Sequence, residues 1–338
     1  MRQCNVVVVG IGAVGAEMVK VLHERDFPAG RIRILARTAR REEIAGRTYE
    51  VEATSAEAFG GVDIAFFAGT EGAKGASRQY GWPAVERGSI VIDNGDDFRM
   101  DPRVPLVIPE VNAEHLRHHQ GFVSNPNCST IQMVMALGPL HRAAGLKRVV
   151  VSTYQSVSGT GRDAIAELQQ QVSDLQQGRE ASARVYPHQI AFNLIPQISS
   201  LREEFPGYYG EEVKMIREPR KILDLPDLAV SATCVRVPVY NAHAEAINVQ
   251  LERKLTAQEA REILRQAPGV EVMDDPENSV YPTPLHASGK DLVYVGRIRE
   301  DPSVENGLDL FVVSDNIRKG AALNAIQIAE KMIEMELI

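Results

Sequence analysis

A glycine-rich turn near the start of the chain constrains the fold more than any other feature. Asn5 to Val9 is a nearly unbroken β-branched run, and Gly10-Ile11-Gly12-Ala13-Val14-Gly15 follows it at once. Such a run is typical of a strand buried on both faces of a parallel sheet. The apolar residues after the first glycines recur at the spacing of one helix face, at Val14, Met18, Val21 and Leu22. The order strand, glycine turn, helix predicts a nucleotide-binding domain.

The context makes the glycine spacing stronger evidence for a nucleotide-binding domain, because a second strand-like run, Arg31 to Ala36, completes a strand–helix–strand unit. In that setting Gly10 makes the turn, Gly12 lets the backbone approach a pyrophosphate, and Gly15 lets helix and strand pack closely. A tight turn that holds no ligand is the alternative.

A basic turn follows the second strand. An NAD site would place Asp or Glu there for the ribose 2′-hydroxyl, but the sequence reads Arg37-Thr38-Ala39-Arg40-Arg41. Guanidinium groups suit a 2′-phosphate, so we expect NADP as the cofactor, with Arg37, Thr38 and Arg40 near the phosphate. A solvated basic loop is the alternative reading.

The rest of the chain predicts two domains. Further strand-like runs occur at 63–67, 89–93 and 105–108, then at 148–153, 230–239 and 246–251, with a helical stretch at 163–177. We expect an α/β fold: a doubly wound Rossmann-type domain formed by 1–127 plus 317–338, and a second, mixed α+β domain at 128–316. The last helix would return to the first domain.

Charge and cysteine content exclude several classes of protein. With 37 Lys and Arg against 45 Asp and Glu, the net charge of −8 argues against a nucleic-acid carrier. The three cysteines are far apart, so neither a disulfide framework nor a metal site is expected. Neither a long apolar run nor a signal-peptide pattern occurs, which favours a cytoplasmic protein that does not enter a membrane.

Cys128 is the candidate nucleophile. It follows Ser124-Asn125-Pro126-Asn127 and begins an apolar helical stretch. A helix N-terminus lowers the pKa of a thiol and offers N–H groups to an oxyanion, as acyl transfer requires. Taken alone, the pattern fits a small buried cysteine equally well.

The sequence closely resembles the aspartate-semialdehyde dehydrogenase family over essentially its whole length. The matching segments are 93–100, 105–112, Asn125 to Cys128, Tyr154-Gln155, 211–214, 236–239 with His243, 295–299, and 315–316 with 319–324. The resemblance implies NADPH-dependent reduction of L-aspartyl-4-phosphate to L-aspartate-4-semialdehyde and phosphate, in lysine, threonine and methionine biosynthesis. It also implies a cytoplasmic homodimer whose second domain is catalytic and dimerising.

The resemblance assigns roles residue by residue. Cys128 would attack the acyl phosphate, His243 would be the acid/base, and Gln155 would orient the substrate. Charged groups then match the substrate's charges: Arg236 the α-carboxylate, Glu211 the ammonium group, and Arg99, Lys214 and Asn127 the phosphate. Further cofactor contacts would come from Ala13, Val14, Ser158, Gly159 and Asn316. Glu211 and Lys214 would share one helix face, although a surface ion pair has the same spacing.

The chain departs from the family pattern at three places. Only Ile11 separates the first two glycines, Gly95-Asp96-Asp97 replaces a serine-rich segment before Arg99, and Ala242 and Ala244 flank His243. Two alternatives compete with the family reading. An enzyme like N-acetylglutamyl-phosphate reductase would offer Glu211 no charged amine, and a non-catalytic NADP-binding relative would have no need of Cys128.

Overall fold

The structure, a computed structural model, describes residues 3–69 and 75–338. The chain divides into two compact units, a first unit of Met1–Asn127 with Gly320–Ile338 and a second unit of Cys128–Lys319. No helix in the described ranges is long and apolar enough to cross a membrane.

The strands are β1 (Cys4–Val9), β2 (Ala29–Ala36), β3 (Arg40–Ile44), β4 (Arg47–Ala53), β5 (Ile64–Phe67), β6 (Ile90–Asp93), β7 (Phe122–Ser124), β8 (Leu146–Gln155), β9 (Leu201–Arg202), β10 (Phe205–Tyr209), β11 (Ala229–Arg236), β12 (His243–Leu251), β13 (Val270–Val272), β14 (Val293–Glu300) and β15 (Gly307–Ser314). The helices are α1 (Ala13–Glu24), α2 (Ala76–Glu86), α3 (Pro109–Asn112), α4 (Cys128–Ala144), α5 (Arg162–Gln176), α6 (Gly210–Ile222), α7 (Ala257–Arg265), α8 (Pro284–Ala287) and α9 (Leu323–Glu334).

The first unit contains a sheet in the order β3-β4-β2-β1-β5-β6-β7, parallel except for the β3–β4 hairpin. Its central strand is buried on both faces: Val6 and Val8 join one apolar cluster with α1 and α9, while Val7 and Val9 join another with Phe59. This double burial explains the run of β-branched residues. β1 lies between β2 and β5, where the strand order reverses, and ligands of such sheets bind at that point. The predicted α/β fold is confirmed.

Some expected strand limits are wrong. Residues 105–108 form only one bridge, from Leu106 to Ser124, before Pro109 starts a short helix. Pro105 has no N–H to give to a ladder, which limits pairing there. The β3–β4 hairpin was not expected. β11 ends at Arg236, three residues before the expected limit, and Pro238 follows.

The second unit contains a mixed sheet in the order β11-β8-β12-β15-β14-β13. β11 is parallel to β8, whereas β12 is antiparallel to both β8 and β15. Only Gly145, with φ +73°, separates α4 from β8, so the chain reverses there. Because β8 runs back along α4, the start of α4 lies near the last residue of β8. Cys128 is therefore at the end of the sheet that carries Gln155.

Two side chains of α5 hold much of the irregular segment 178–200. Glu167 accepts hydrogen bonds from the backbone N–H groups of Arg184 and Tyr186, at 2.7 and 3.4 Å. One turn later, the Gln171 side-chain oxygen accepts from the backbone N–H groups of 190 and 191, each at 3.0 Å. These contacts satisfy backbone groups that no sheet or helix pairs.

Candidate active site

Four polar side chains lie side by side on one face of the second sheet. Arg236 pairs with Gln155 between β11 and β8, and His243 pairs with Ser314 between β12 and β15. Tyr154 pairs with Ala244, which places Gln155 level with His243. Residues level with each other on paired strands share a face. We call this set, Arg236, Gln155, His243 and Ser314, the polar row; all four are buried.

Cys128 begins α4, which packs over the polar row. Gln132, one turn further along α4, accepts a hydrogen bond from Ser314 Oγ at 2.8 Å, which fixes the helix on this face. Cys128 is partly exposed, whereas Cys4 and Cys234 are buried, and none of the three is in a disulfide. Burial raises the pKa of the Cys234 thiol well above its usual range. The helix N-terminus therefore presents one accessible thiol at the end of the sheet where the polar row lies.

The His243 ring is held in one tautomer. Its Nδ1 accepts from the backbone N–H of Ser156 at 3.1 Å and contacts Ser156 Oγ at 3.0 Å. An N–H can only donate, so the neutral ring carries its own proton on Nε2. Nε2 is buried and has no hydrogen-bond partner within the described ranges. Burial, aided by the charge of Arg236, lowers the pKa of His243 to about 3.

The backbone around His243 is fixed by Asn316. Its side-chain oxygen accepts from the N–H of Ala242 at 3.0 Å and from Ser156 Oγ at 3.1 Å. Its amide nitrogen donates to Ser158 Oγ at 3.0 Å. Ala242 has φ +69°, a left-handed conformation that needs such external contacts. The structure shows Ser158 and Asn316, which we expected near the cofactor, holding the segments on either side of the ring.

Gly159 leaves space beside the same ring. A methyl group at Gly159 would lie 3.2 Å from His243 Nε2 and 3.1 Å from Arg236 Nη1. Arg236 Nη1 donates to the Ser156 carbonyl at 2.6 Å, while its Nε has no partner within the described ranges. The two N–H groups without a partner are His243 Nε2 and Arg236 Nε, and their side chains meet at Gly159. Buried donors need acceptors, so a ligand with oxygen atoms would satisfy them.

Glu211 and Lys214 form a buried pair rather than a surface pair. Both lie on α6, and Lys214 Nζ is 3.7 Å from a Glu211 oxygen. The Lys214 side chain is 13% exposed and the Glu211 side chain is 7% exposed. The other Glu211 oxygen accepts from Gln155 Nε2 at 3.1 Å, which joins α6 to the polar row. Glu212 caps α6 and accepts from the backbone N–H of Cys234 at 3.1 Å. The structure therefore brings Gln155, Glu211, Lys214 and Arg236 to one region of the second unit.

The glycine turn of the first unit has the geometry that a dinucleotide needs. Gly10 has φ +97°, which makes the turn out of β1. A methyl group at Gly15 would lie 2.0 Å from the Gly10 carbonyl oxygen, whereas one at Gly12 would meet nothing within 4 Å. Gly15 is thus required by packing, and Gly12 borders open space in front of α1, which begins with Ala13 and Val14. These residues fit a pyrophosphate at the helix N-terminus.

The basic turn contains one unengaged arginine. Arg40 pairs with Glu42 at 2.7 Å and donates to the Thr38 carbonyl at 3.3 Å. Arg37 is exposed and has no ion-pair or hydrogen-bond partner in the part of the chain that the structure describes. Among the three residues expected at the 2′-phosphate, Arg37 therefore has its guanidinium most available.

Arg99 is tied to the segment that leads into Cys128. It donates to the carbonyl oxygens of Asn125 and Asn94, at 3.0 and 2.7 Å, and is buried. Asn127, also buried, lies two residues beyond Asn125. Asp93, which precedes this loop, accepts from the Gly95 N–H at 2.8 Å, and burial raises the pKa of Asp93 to about 6. Within the described ranges, no group of three or more His, Cys, Asp or Glu is placed to hold a metal ion.

Sequence reasoning missed Ser156, Gln132 and Glu245 as parts of this region. Gln132 lies four residues after Cys128, so helix periodicity alone could have placed it on the same face. Glu245 lies two residues after His243 on β12, so strand alternation places it on the face of His243. Ser156 acts through a backbone N–H, for which the sequence has no signal.

Comparison with known proteins defines the class first. Residues 5–119 match the family model described as the NAD-binding domain of semialdehyde dehydrogenase, and residues 137–319 match its dimerisation domain. Within that class, the chain is 47% identical over 342 residues to aspartate-semialdehyde dehydrogenase of Aquifex aeolicus, covering 99% of each chain. It is 45% identical over 350 residues to that of Bacillus subtilis, covering 100% of this chain and 99% of the relative.

Solved structures agree. The structure of aspartate semialdehyde dehydrogenase II from Vibrio cholerae matches with a TM-score of 0.93 at 42% identity, covering 98% of this chain and 99% of that one. A second structure of that protein, complexed with ASA, also gives 0.93 and covers 99% of each chain. The chain belongs to the aspartate-semialdehyde dehydrogenase family, and is an oxidoreductase of amino-acid biosynthesis.

Proposed function

We propose that this chain converts L-aspartyl-4-phosphate to L-aspartate-4-semialdehyde and phosphate with NADPH, through a thioester on Cys128. The observation that carries the proposal is the position of one accessible thiol relative to the polar row. The thiol lies at a helix N-terminus, at the same end of the sheet as the buried side chains of His243, Gln155 and Arg236. Relatives named for this activity match the whole chain at 45–47% identity.

The charges of the site match those of the substrate. Aspartyl phosphate carries a carboxylate, an ammonium group and a phosphoryl group. In the second unit, Arg236 has an unpartnered Nε for the carboxylate, Glu211 supplies an anion for the ammonium group, and Lys214 supplies a cation for phosphate. Arg99 and Asn127 are the phosphate contacts that we propose in the first unit.

The side chains then have distinct chemical tasks. The Cys128 thiolate attacks the acyl carbon, the C–O bond to phosphate breaks, and phosphate leaves with the electron pair. NADPH, when bound, supplies the hydride that reduces the resulting thioester. His243 Nε2–H donates a hydrogen bond to the oxygen that becomes negative and keeps its proton throughout. The thiohemiacetal oxyanion left by hydride transfer then collapses, the C–S bond breaks, and the thiolate and the aldehyde are released. Because Nδ1 is committed to the Ser156 N–H, we assign His243 to this oxygen rather than to the thiol.

NADP is the cofactor that we propose, rather than NAD. The residues of the first unit fit a dinucleotide, since Gly12 borders open space at the start of α1. Ala13 and Val14 at that helix start would contact the pyrophosphate, and Arg37 would meet the 2′-phosphate. Ser158, Gly159 and Asn316 in the second unit are the nicotinamide contacts that we propose.

We further propose that the chain works as a homodimer in the cytoplasm. Phe192, Leu194 and Leu201 of the second unit are 75%, 58% and 60% exposed, and a family model for a dimerisation domain spans them. Exposed large apolar side chains of this kind favour association with a second copy. A thiolate nucleophile needs a reducing compartment, which favours the cytoplasm. Leu194→Asp should move the light-scattering mass from dimer to monomer. Met100→Asp, at an exposed apolar residue outside the dimerisation-domain match, should leave the dimer intact.

One assay tests the activity. L-Aspartate-4-semialdehyde, phosphate and NADP should give NADPH absorbance only when all three are present, and N-acetylglutamate-5-semialdehyde should give none. Cys128→Ser should lose at least about a thousandfold in kcat, because a serine hydroxyl is a poor nucleophile and leaving group at neutral pH. Cys234→Ser is the matched control and should stay active. NADPH formation without phosphate, or an active Cys128→Ser, would contradict the proposal.

A further inference from the structure

The polar row has a second layer beneath it that the proposed chemistry does not use. One step deeper on the same face, Glu245 of β12 pairs with Thr153 of β8 on one side and with Val312 of β15 on the other. Glu245 is fully buried, and neither of its carboxyl oxygens has a hydrogen-bond partner within the described ranges. Gln132 Nε2 of α4 is likewise buried and unpartnered.

The Glu245 carboxyl and the Gln132 amide lie near each other, since the Gln132 amide affects the pKa of Glu245. Gln132 uses its oxygen for Ser314 Oγ at 2.8 Å, which leaves its amide nitrogen for Glu245. Burial raises the pKa of Glu245 well above its usual range, the Gln132 amide opposes this rise, and the charge of Glu211 adds to it. Gln132 therefore acts on Glu245 across the interface between α4 and β12.

The charge state of Glu245 follows from its surroundings. At this end of the sheet, the titratable and charged groups on the elements packed around Glu245 include Cys128, Glu211, Glu212, Lys214, Cys234, Arg236 and His243. Lys214 pairs with Glu211, Arg236 donates through Nη1 to the Ser156 carbonyl, and neither Glu245 oxygen has a hydrogen-bond partner among the described residues. An ionised carboxylate with no cation beside it is costly in so buried a place. These surroundings favour the uncharged acid at Glu245.

We propose that Glu245 is a positioning residue that acts as an uncharged acid, forming with Gln132 and Ser314 a buried contact that holds the first turns of α4, and so Cys128, on the sheet. The contact reaches the nucleophile through one helical turn, since Gln132 and Cys128 are four residues apart on one face. An uncharged Glu245 also spares the Cys128 thiolate a nearby like charge, which would raise the pKa of the thiol. The inference rests on the proposed role of Cys128.

The test measures the thiol as well as turnover. The pKa of Cys128 is obtained from the rate of iodoacetamide alkylation between pH 5 and 10, read on the Cys128 peptide by mass spectrometry. Glu245→Ala should raise the pKa of the thiol by about one unit and lower kcat by about tenfold, with KM changed less than about threefold, because the nucleophile is misplaced rather than the substrate.

Two further variants separate charge from shape. Glu245→Gln keeps the size and the neutrality of the acid, so the pKa of the thiol should stay within about 0.3 unit and kcat within about threefold. Val249→Ala creates a buried space on the same face of β12, away from Gln132, and should leave both quantities unchanged. If Glu245→Ala does not fold, Gln132→Met removes the same contact from the helix side and should reproduce its effects.

Three results would overturn the inference. A lower pKa of the thiol in Glu245→Gln would mean that the parent carries a negative charge at Glu245. Equal behaviour of Glu245→Ala and Val249→Ala would mean that Glu245 only fills space, and an unaffected thiol in Gln132→Met would remove the link to α4. Failure of the proposed function is distinguishable from these, because it would show as an active Cys128→Ser while the alkylation measurements need no turnover.

Discussion

The backbone N–H of Ser156 donates to Nδ1 of His243 at 3.1 Å, and this one bond determines which nitrogen of the neutral ring carries the proton. A backbone N–H cannot accept, so Nε2 carries the proton of the neutral ring. Because burial lowers the pKa of His243 to about 3, the neutral ring persists throughout the neutral range. In our proposal His243 therefore works as a neutral hydrogen-bond donor to an oxygen through Nε2–H, without transferring the proton.

This relationship predicts the titration of the ring. In ¹⁵N spectra of histidine-labelled protein, the signals absent from His243→Asn should show the Nε2–H tautomer and no titration between pH 5 and 8, because the ring resists protonation. The stability contributed by the neutral ring is present above its ordinary pKa of 6.5 and is lost as pH falls toward about 3. A His243 signal that titrates between pH 5 and 8 would contradict the assignment.

The two later glycines of the turn predict opposite outcomes for one substitution. Gly15→Ala places a methyl group 2.0 Å from the Gly10 carbonyl oxygen, so the first unit should fail to fold or lose many degrees in Tm. Gly12→Ala meets nothing within 4 Å, so Tm should stay close to that of the parent. The added methyl should nevertheless weaken NADPH binding at least about tenfold, because it occupies the space of the pyrophosphate.

Fluorescence titration with NADPH and thermal melting decide between these outcomes. Gly12→Ala with the affinity of the parent would mean that the pyrophosphate does not approach this residue. A stable Gly15→Ala would mean that helix and strand are less tightly packed than the structure shows.

Cofactor preference depends on Arg37 in our proposal. Arg37→Asp should shift the NADP-to-NAD ratio of kcat/KM by at least about tenfold toward NAD, since a charge-assisted bond to phosphate is lost and a repulsion is added. Arg41→Asp is the matched control, because Arg41 instead pairs with Glu50 on the β3–β4 hairpin. Equal shifts in both variants would indicate a general effect of surface charge, and no shift in either would assign the selectivity elsewhere.

The sequence predicted the elements that carry the site residues better than it predicted the contacts of their side chains. Helix periodicity and strand runs predicted where Cys128 begins a helix and that Glu211 and Lys214 share a helix face, because these depend on local spacing. The burial of that pair could not be predicted, because it depends on α6 packing against β11. The tautomer of His243 depends on Ser156, 87 residues earlier, and the second layer depends on strand register, which the sequence leaves open.

Asp93 predicts a pH dependence of stability with a definite sign. Burial raises the pKa of Asp93 from 3.8 to about 6, so the folded chain binds the proton more tightly than the unfolded chain. Stability is therefore lost as pH rises from about 4 through 6, by up to about 3 kcal/mol once ionisation is complete. Asp93→Asn should gain Tm relative to the parent at pH 7.5 and less at pH 4.5.

Thermal melts at pH 4.5, 6 and 7.5 measure this difference. The exposed Gln120→Ala, which removes no titratable group, is the control, and its Tm difference from the parent should not change with pH in that range. A constant difference for Asp93→Asn would show that the carboxyl is ionised in the folded protein at every pH measured.

Gly159 predicts a loss of activity without a loss of fold. A methyl group there would lie 3.2 Å from His243 Nε2 and 3.1 Å from Arg236 Nη1, closer than most side-chain contacts. Gly159 has a backbone conformation that alanine adopts without strain, since its φ is not positive. The methyl would occupy the space in which a substrate oxygen meets Nε2, so Gly159→Ala should lower kcat by about a hundredfold, a loss comparable to removing one oxyanion donor.

Gly60→Ala, with only one contact at 3.4 Å, is the control for adding a methyl group. Equal kcat in the two variants, at equal Tm, would mean that the reacting oxygen does not sit beside Gly159 and that Nε2 of His243 faces some other group.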